Sequence, residues 1–134
     1  MAKAAKSDSS WAVELHPDFE EEFAALAVDV QDSLLAGAKA IQLAGPKTGR
    51  PHVDTLSGSK HANMKELRFR DESGSEEWRA AFAFDPERRA VILVAGAKQG
   101  KNQKAFYKAL IKVADKRFDG HLRDLQERKK AGSK

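Results

Sequence analysis

Residues 64–97 decide the fold: MKELRFR (Met64 to Arg70), EWRAAFAF (Glu77 to Phe84) and RAVILVAGA (Arg89 to Ala97), separated by DESGSE and DPER. The first run puts Leu67 and Phe69 on one side and Arg68 and Arg70 on the other, the period of a half-buried strand. The second splits into Trp78, Ala80, Phe82 and Phe84 on one parity and Arg79, Ala81 and Ala83 on the other. Its aromatic parity belongs against helices, and its alanine parity leaves room above the sheet. The third run is apolar at both parities, as a central strand is. The Ser/Gly-rich connector at 71–75 reads as a hairpin loop and Asp85-Pro86-Glu87-Arg88 as a turn, so the three strands are antiparallel neighbours. Pairing across the 71–75 turn would let Arg68 and Arg79 converge over one shallow groove.

Upstream, Trp11, Val13 and Leu15 alternate with Ala12 and Glu14, predicting a short strand that His16-Pro17 stops. Asp18 is the expected cap of a helix whose first turn carries Glu20, Glu21 and Glu22, where the macrodipole favours acids. The apolar pattern from Phe19 to Leu43 reads as two helices broken near Ala27–Asp29, ending at Gly45-Pro46. Downstream, Asn102 caps a last helix bearing Phe106, Leu110, Val113, Phe118, Leu122 and Leu125, with Asp119-Gly120 able to end or bend it. The reading is an α+β fold: a twisted antiparallel sheet, two N-terminal helices on one face and a C-terminal helix, in the order β-α-α-β-β-β-α. It divides the chain into a flexible leader at 1–10, a single domain at 11–126 and a basic frayed tail at 127–134.

The 134 residues suffice for one core, and the chain has no cysteine, which excludes disulfides and thiolate zinc sites. A reducing, cytoplasmic home is expected, with no signal peptide in MAKAAKSDSS and no membrane span. Charge is unevenly placed. Residues 1–45 hold three lysines against eight acids, whereas the remainder holds twenty-one Lys/Arg against twelve acids, a net of +9. That asymmetry points the basic part at a polyanion.

Residues 46–63, PKTGRPHVDTLSGSKHAN, carry no periodicity and form a long loop, a functional feature in so small a domain. It brings Arg50, Lys60 and His61 near the strand that opens with Lys65. His52 and Asp54 lack a third spaced ligand, so no metal and no cofactor is called for. No signature of acyl transfer and no glycine-rich phosphate loop is present; Lys98, Lys101 and Lys104 read as contacts to a nucleic-acid backbone. What remains is phosphodiester chemistry on RNA, which brings its own 2′-hydroxyl nucleophile and asks the protein for a base, an acid and cations. His61, between Lys60 and Lys65, is the candidate base, with Arg68, Arg79, Lys65 and Lys98 beside it. Arg50, Lys60, Arg70, Lys101 and Lys104 are candidate nucleic-acid contacts.

The segments GRPHVDTLSGSKHANMKELRF (49–69), WRAAFAFDPERRAVILVAGAKQG (78–100) and KAFYKALIKVADKRFDGHL (104–122) together resemble the HigB-like, phage-derived branch of the RelE/ParE toxin superfamily. The resemblance spans about residues 11–125. It implies a toxin of a type II toxin–antitoxin system, neutralised by an antitoxin, often of helix-turn-helix type, and acting on ribosome-bound mRNA as an endoribonuclease that leaves a 2′,3′-cyclic phosphate. Arg68, Arg79 and Lys98 match the family's recurrent basic positions. Gly96-Ala97-Lys98-Gln99 stands where several relatives carry Phe-x-Lys-Lys, and Tyr107, the nearest aromatic candidate, stands on the last helix. A gyrase-inhibiting toxin of the ParE branch, or a non-toxic RNA-binding regulator, uses the same fold.

Overall fold

The computed structural model describes residues 11–98, 100 and 102–132. The leader at 1–10 and Lys101 lie outside the described residues. The elements are β1 (Ala12–Leu15), α1 (Pro17–Ala24), α2 (Val28–Ala44), a short 3₁₀ turn (Gly45–Lys47), β2 (Val53–Thr55), β3 (Met64–Arg70), β4 (Glu77–Phe84), β5 (Arg89–Ala97) and α3 (Gln103–Gly132). Among the described residues no helix is long and apolar enough to cross a membrane.

The strands form one sheet in the order β1-β5-β4-β3-β2. β2 to β5 are antiparallel neighbours, but β1 runs parallel to β5, Ala12 opposite Arg89 and Leu15 opposite Ile92. The sheet is therefore mixed rather than wholly antiparallel. Short turns dictate antiparallel pairing only for the strands they join; β1 reaches β5 after two helices and three strands and is free of that constraint. β2 is a second departure. The loop at 46–63 contributes an edge strand, because Val53 and Leu56 are buried and anchor it.

Local chemistry accounts for the helices. His16, not Asp18, caps α1: its Nδ1 accepts from the Asp18 amide at 3.0 Å, Pro17 stands at the first helical position, and Asp18 and Glu20 occupy the first turn. Gln31 of α2 donates to the carbonyls of Phe23, Ala24 and Leu26, satisfying the unpaired end of α1. Gly45 ends α2 at φ +60°, where a Cβ would fall 2.4 Å from Trp11 Nε1.

Two cores sandwich the sheet. On one face Phe19, Leu34 and Ile41 of α1 and α2 meet Leu67, Ala80, Phe82, Phe84 and Ile92; each fully buried large side chain is worth about 1.5–3 kcal/mol. The aromatic parity of β4 thus faces these helices, as the pattern predicts. On the other face Phe106, Leu110, Ala114 and Phe118 of α3 fill the space above Ala81, Ala83, Val91 and Leu93. The room over the alanines is occupied by this helix and is no open groove. α3 runs straight through Asp119-Gly120 and stays helical through 127–132, where a frayed tail was expected. Its cap is as read: the Ala105 amide donates to Asn102 Oδ1 at 3.0 Å.

β5 carries one extra residue. Ala81 pairs with Val94 but Phe82 pairs with Ile92, leaving Leu93 as a bulge. Val91 and Leu93 face α3, and after the bulge Val94 and Gly96 do so, with Phe106 Cε1 3.2 Å from where a Gly96 Cβ would stand.

Candidate active site

The β3–β4 register sets Arg68 directly opposite Arg79, as the hairpin reading requires. Two like charges on neighbouring strands repel, and the fold answers with a carboxylate between them. Glu66, two residues along the same pleat, is buried at 5% exposure. Its Oε2 accepts from Arg68 Nη2 at 3.1 Å; its Oε1 accepts from the Tyr107 hydroxyl at 2.7 Å and lies 3.6 Å from Arg79 Nε. Arg79 Nε donates to the Tyr107 oxygen at 3.1 Å, so the phenol bridges guanidinium and carboxylate. Tyr107 stands on the first turns of α3, the helix that covers this face.

The cluster extends in both directions as a row of alternating charge. Arg68 also reaches Asp54 Oδ2 on β2 at 3.3 Å, and Arg50 caps that carboxylate at 2.9 Å. Arg79 reaches Glu77 at 3.2 Å, which also receives Arg70 at 3.4 Å. Lys98 closes the side near β5: its backbone amide donates to the Glu77 carbonyl at 2.7 Å and its Nζ lies 5.9 Å from the Tyr107 ring centre. Burial depth separates the two arginines. The Arg79 side chain is 9% exposed and tied by four polar contacts, whereas Arg68 is 36% exposed and its Nε is buried without a hydrogen-bond partner.

The electrostatics favour a charged, protonated constellation. Burial, then the hydrogen bond to Glu66, pushes the Tyr107 phenol above its ordinary value, so it stays a donor at neutral pH. The Glu66 hydrogen bond raises Arg68. The Thr55 amide, then Arg50 and Arg68, hold the Asp54 carboxyl below the usual carboxylate range.

Of the residues singled out from sequence, Arg50, Arg68, Arg70, Arg79 and Lys98 come together here. Others do not. His61 Nε2 lies 2.8 Å from Asp119 Oδ1, its ring edge-on to Phe118 at 4.9 Å, and Lys60 Nζ takes the other Asp119 oxygen at 2.6 Å. Asp119 is twelve residues beyond Tyr107 on one unbroken helix, about 18 Å of rise at 1.5 Å per residue. The loop at 57–61 is thus bound to the far half of α3 and keeps His61 away from the arginines. Lys65 sits on the opposite pleat, its partner Phe82 facing α1 and α2. Lys104 is exposed on the first turn of α3. Sequence reasoning did not name Glu66 as a site member, although Glu66 shares the Arg68 parity, and it named Tyr107 only as an aromatic candidate on the last helix. What brings Tyr107 here is that α3 covers the alanine face.

A family model described as phage derived protein Gp49-like (DUF891) matches residues 21–119. The chain belongs to this family. The Gp49-like chain is similar to two Mycobacterium tuberculosis H37Rv proteins named as toxins: HigB2, 41% identical over 101 residues, and HigB3, 40% identical over 111 residues. The match to HigB2 covers 75% of this chain and about half (49%) of that protein; the match to HigB3 covers 83% and 93%. Among solved structures, a double arginine-to-alanine mutant of the E. coli toxin RelE in the free state shares the fold, with a TM-score of 0.54 at 14% identity over 76% of this chain and 94% of that one. The Gp49-like chain thus groups with the HigB toxins in sequence and shares its fold with RelE.

Proposed function

We propose that this chain is the toxin of a toxin–antitoxin pair, and that it cleaves ribosome-bound mRNA at the cluster of Glu66, Arg68, Arg79, Lys98 and Tyr107. The observation that carries the reading is the Glu66 carboxylate gripped by two guanidiniums and a phenol, in a chain whose HigB-type relatives are named as toxins. In the reaction the 2′-oxygen bonds to the adjacent phosphorus while the phosphorus–5′-oxygen bond breaks. The products are a 2′,3′-cyclic phosphate and a free 5′-hydroxyl. Glu66 is the carboxylate available to take the 2′-proton. Arg68, the more exposed guanidinium, and Lys98 stabilise the charge that develops on the phosphorane. Tyr107, kept protonated, passes its proton to the departing 5′-oxygen and regains one from Glu66, to which it is hydrogen-bonded, and Arg79 holds Tyr107 and Glu66 in place. The base role read for His61 passes to Glu66 because of where Asp119 holds the histidine.

The test is induced expression followed by mapping of mRNA 5′ ends, with purified ribosomes programmed in parallel. Wild type should arrest growth and produce 5′-hydroxyl ends within translated codons. Arg68→Ala should fold and lose cleavage by about 10²-fold or more. Growth arrest with intact mRNA and accumulating DNA breaks would replace this reading by gyrase inhibition.

A further inference from the structure

We propose that the solvent face of α3 is a second binding surface, a track for the phosphodiester backbone of single-stranded RNA. Lys104, Lys108, Lys112 and Lys116 follow one another at four-residue intervals, and all four are exposed. At 3.6 residues per turn each step turns about 40°, so the row winds slowly along one face over about 18 Å of helix. Like charges at this spacing oppose helix formation, so the row does nothing for the fold. Among the described residues none of the four lysines forms an ion pair. The nearby acids are already engaged: Asp115 accepts from the Ser59 hydroxyl and the Lys60 amide, and Asp119 holds Lys60 and His61.

The next position in the row is Gly120, a residue that weakens a helix interior. Arg123 lies across it, with Nη2 3.8 Å from where a Cβ would be, and carries the cationic row one turn further. There the track opens into a cavity of about 910 Å³ between α3, the end of β1 and the start of α1. Lys112, Lys116, Arg123 and Arg128 line it against the acids Asp18 and Asp124, while Arg117 and Arg89 in its wall are paired with Glu22 and Glu14. At its other end the row begins three residues before Tyr107. A polyanion lying along it therefore leads to the Glu66 cluster. A membrane surface fits less well, because the exposed large apolar side chains, Val28, Leu35 and Leu43, are all on α2, across the sheet from α3.

This inference asks for binding alone, so it stands or falls separately from cleavage at Glu66. The experiment measures anisotropy of a labelled oligouridylate titrated with the full chain over a range of salt. The variants are Lys112→Ala/Lys116→Ala/Arg123→Ala and the charge-keeping Lys112→Arg/Lys116→Arg. All replaced residues lie away from the Glu66 cluster. Each lost phosphate contact flattens the salt dependence by about 0.7 for a single strand, so the triple variant should flatten the log–log slope by about 2 and weaken low-salt binding about tenfold or more. Its melting temperature should hold or rise, because repulsion is removed. The arginine variant should bind like wild type. An unchanged slope in the triple variant overturns the track. So does displacement of the RNA by polyglutamate at equal charge, or a loss confined to phosphatidylserine vesicles.

Discussion

Tyr107→Phe removes one hydroxyl and nothing else, so its cost is readable from the geometry. The lost oxygen donates to the Glu66 carboxylate at 2.7 Å and accepts from Arg79 Nε at 3.1 Å. A hydrogen bond to a charged group contributes about 1.5–3 kcal/mol net. Arg79 recovers part of its loss, because Nε already lies 3.6 Å from Glu66 Oε1 and its other nitrogens keep Glu77 and the Trp78 carbonyl. The ring stays packed against Phe106, so no cavity term enters. The expected destabilisation is therefore about 1.5–2 kcal/mol. In urea, with a slope of about 1–3 kcal/mol/M, the midpoint should fall by about 1 M at unchanged slope. A midpoint shift equivalent to less than about 0.5 kcal/mol would mean that the hydroxyl is solvated and that the phenol does not bridge Glu66 and Arg79 in solution.

The two arginines should separate in the same assay. Arg79→Ala, which uncovers a buried carboxylate, should cost about 2–3 kcal/mol, and the partly exposed Arg68→Ala about 1 kcal/mol or less; equal losses would refute the difference in burial. Gly45→Ala should cost more than about 2 kcal/mol, from its positive φ and a Cβ driven into the Trp11 ring, and a melt matching wild type would contradict that packing. For His16, burial lowers the imidazole below its ordinary 6.5, with Arg117 and His121 adding to the shift. The fold then prefers the neutral ring whose Nδ1 caps α1, so stability is full above that value and falls as pH drops through it. His16→Asn, which retains a capping oxygen, should lose less stability than wild type between about pH 7.5 and about pH 5.5; identical losses would remove His16 from the acid response. Glu22, depressed chiefly by its hydrogen bonds from Arg117, should contribute stability at neutral pH that fades as pH falls through the ordinary carboxylate range toward its lowered folded value, and Glu22→Gln should flatten that limb of the urea-midpoint profile.

The strands β3, β4 and β5 were legible to the residue, because alternation in MKELRFR and EWRAAFAF and the apolar run RAVILVAGA are local signals. The helix break read near Ala27–Asp29 falls slightly earlier, at residues 25–27, and the Asn102 cap was legible as well. The parallel entry of β1 was not, since nothing in four residues states which neighbour they meet. The site was half legible. Arg68 and Arg79 follow from strand parity and hairpin register. Their burial depends on α3 lying over Ala81 and Ala83, a tertiary choice that the small side chains permit but do not announce. His61 stands between Lys60 and Lys65 in the sequence, and that neighbourhood says nothing of its distance from the arginines. Ser59, Lys60 and His61 instead bind two aspartates on a helix more than fifty residues later.

The bulge at Leu93 makes β5 one residue longer than its pairing with β4 requires. Remove that residue and Val94 still meets Ala81, Ala95 still meets Ala80 and Gly96 still meets Arg79, with every side chain from 94 onward on its present face. A single-codon deletion, which elsewhere in a strand turns the following side chains inside out, would here leave the inward row intact up to Lys98. It would forfeit one core leucine and the carbonyl that Arg117 grips at 2.7 Å. At this point the sheet tolerates a change of chain length better than a change of side chain, so natural variants of the fold that differ in length here should still present Gly96 and Lys98 to the same neighbours.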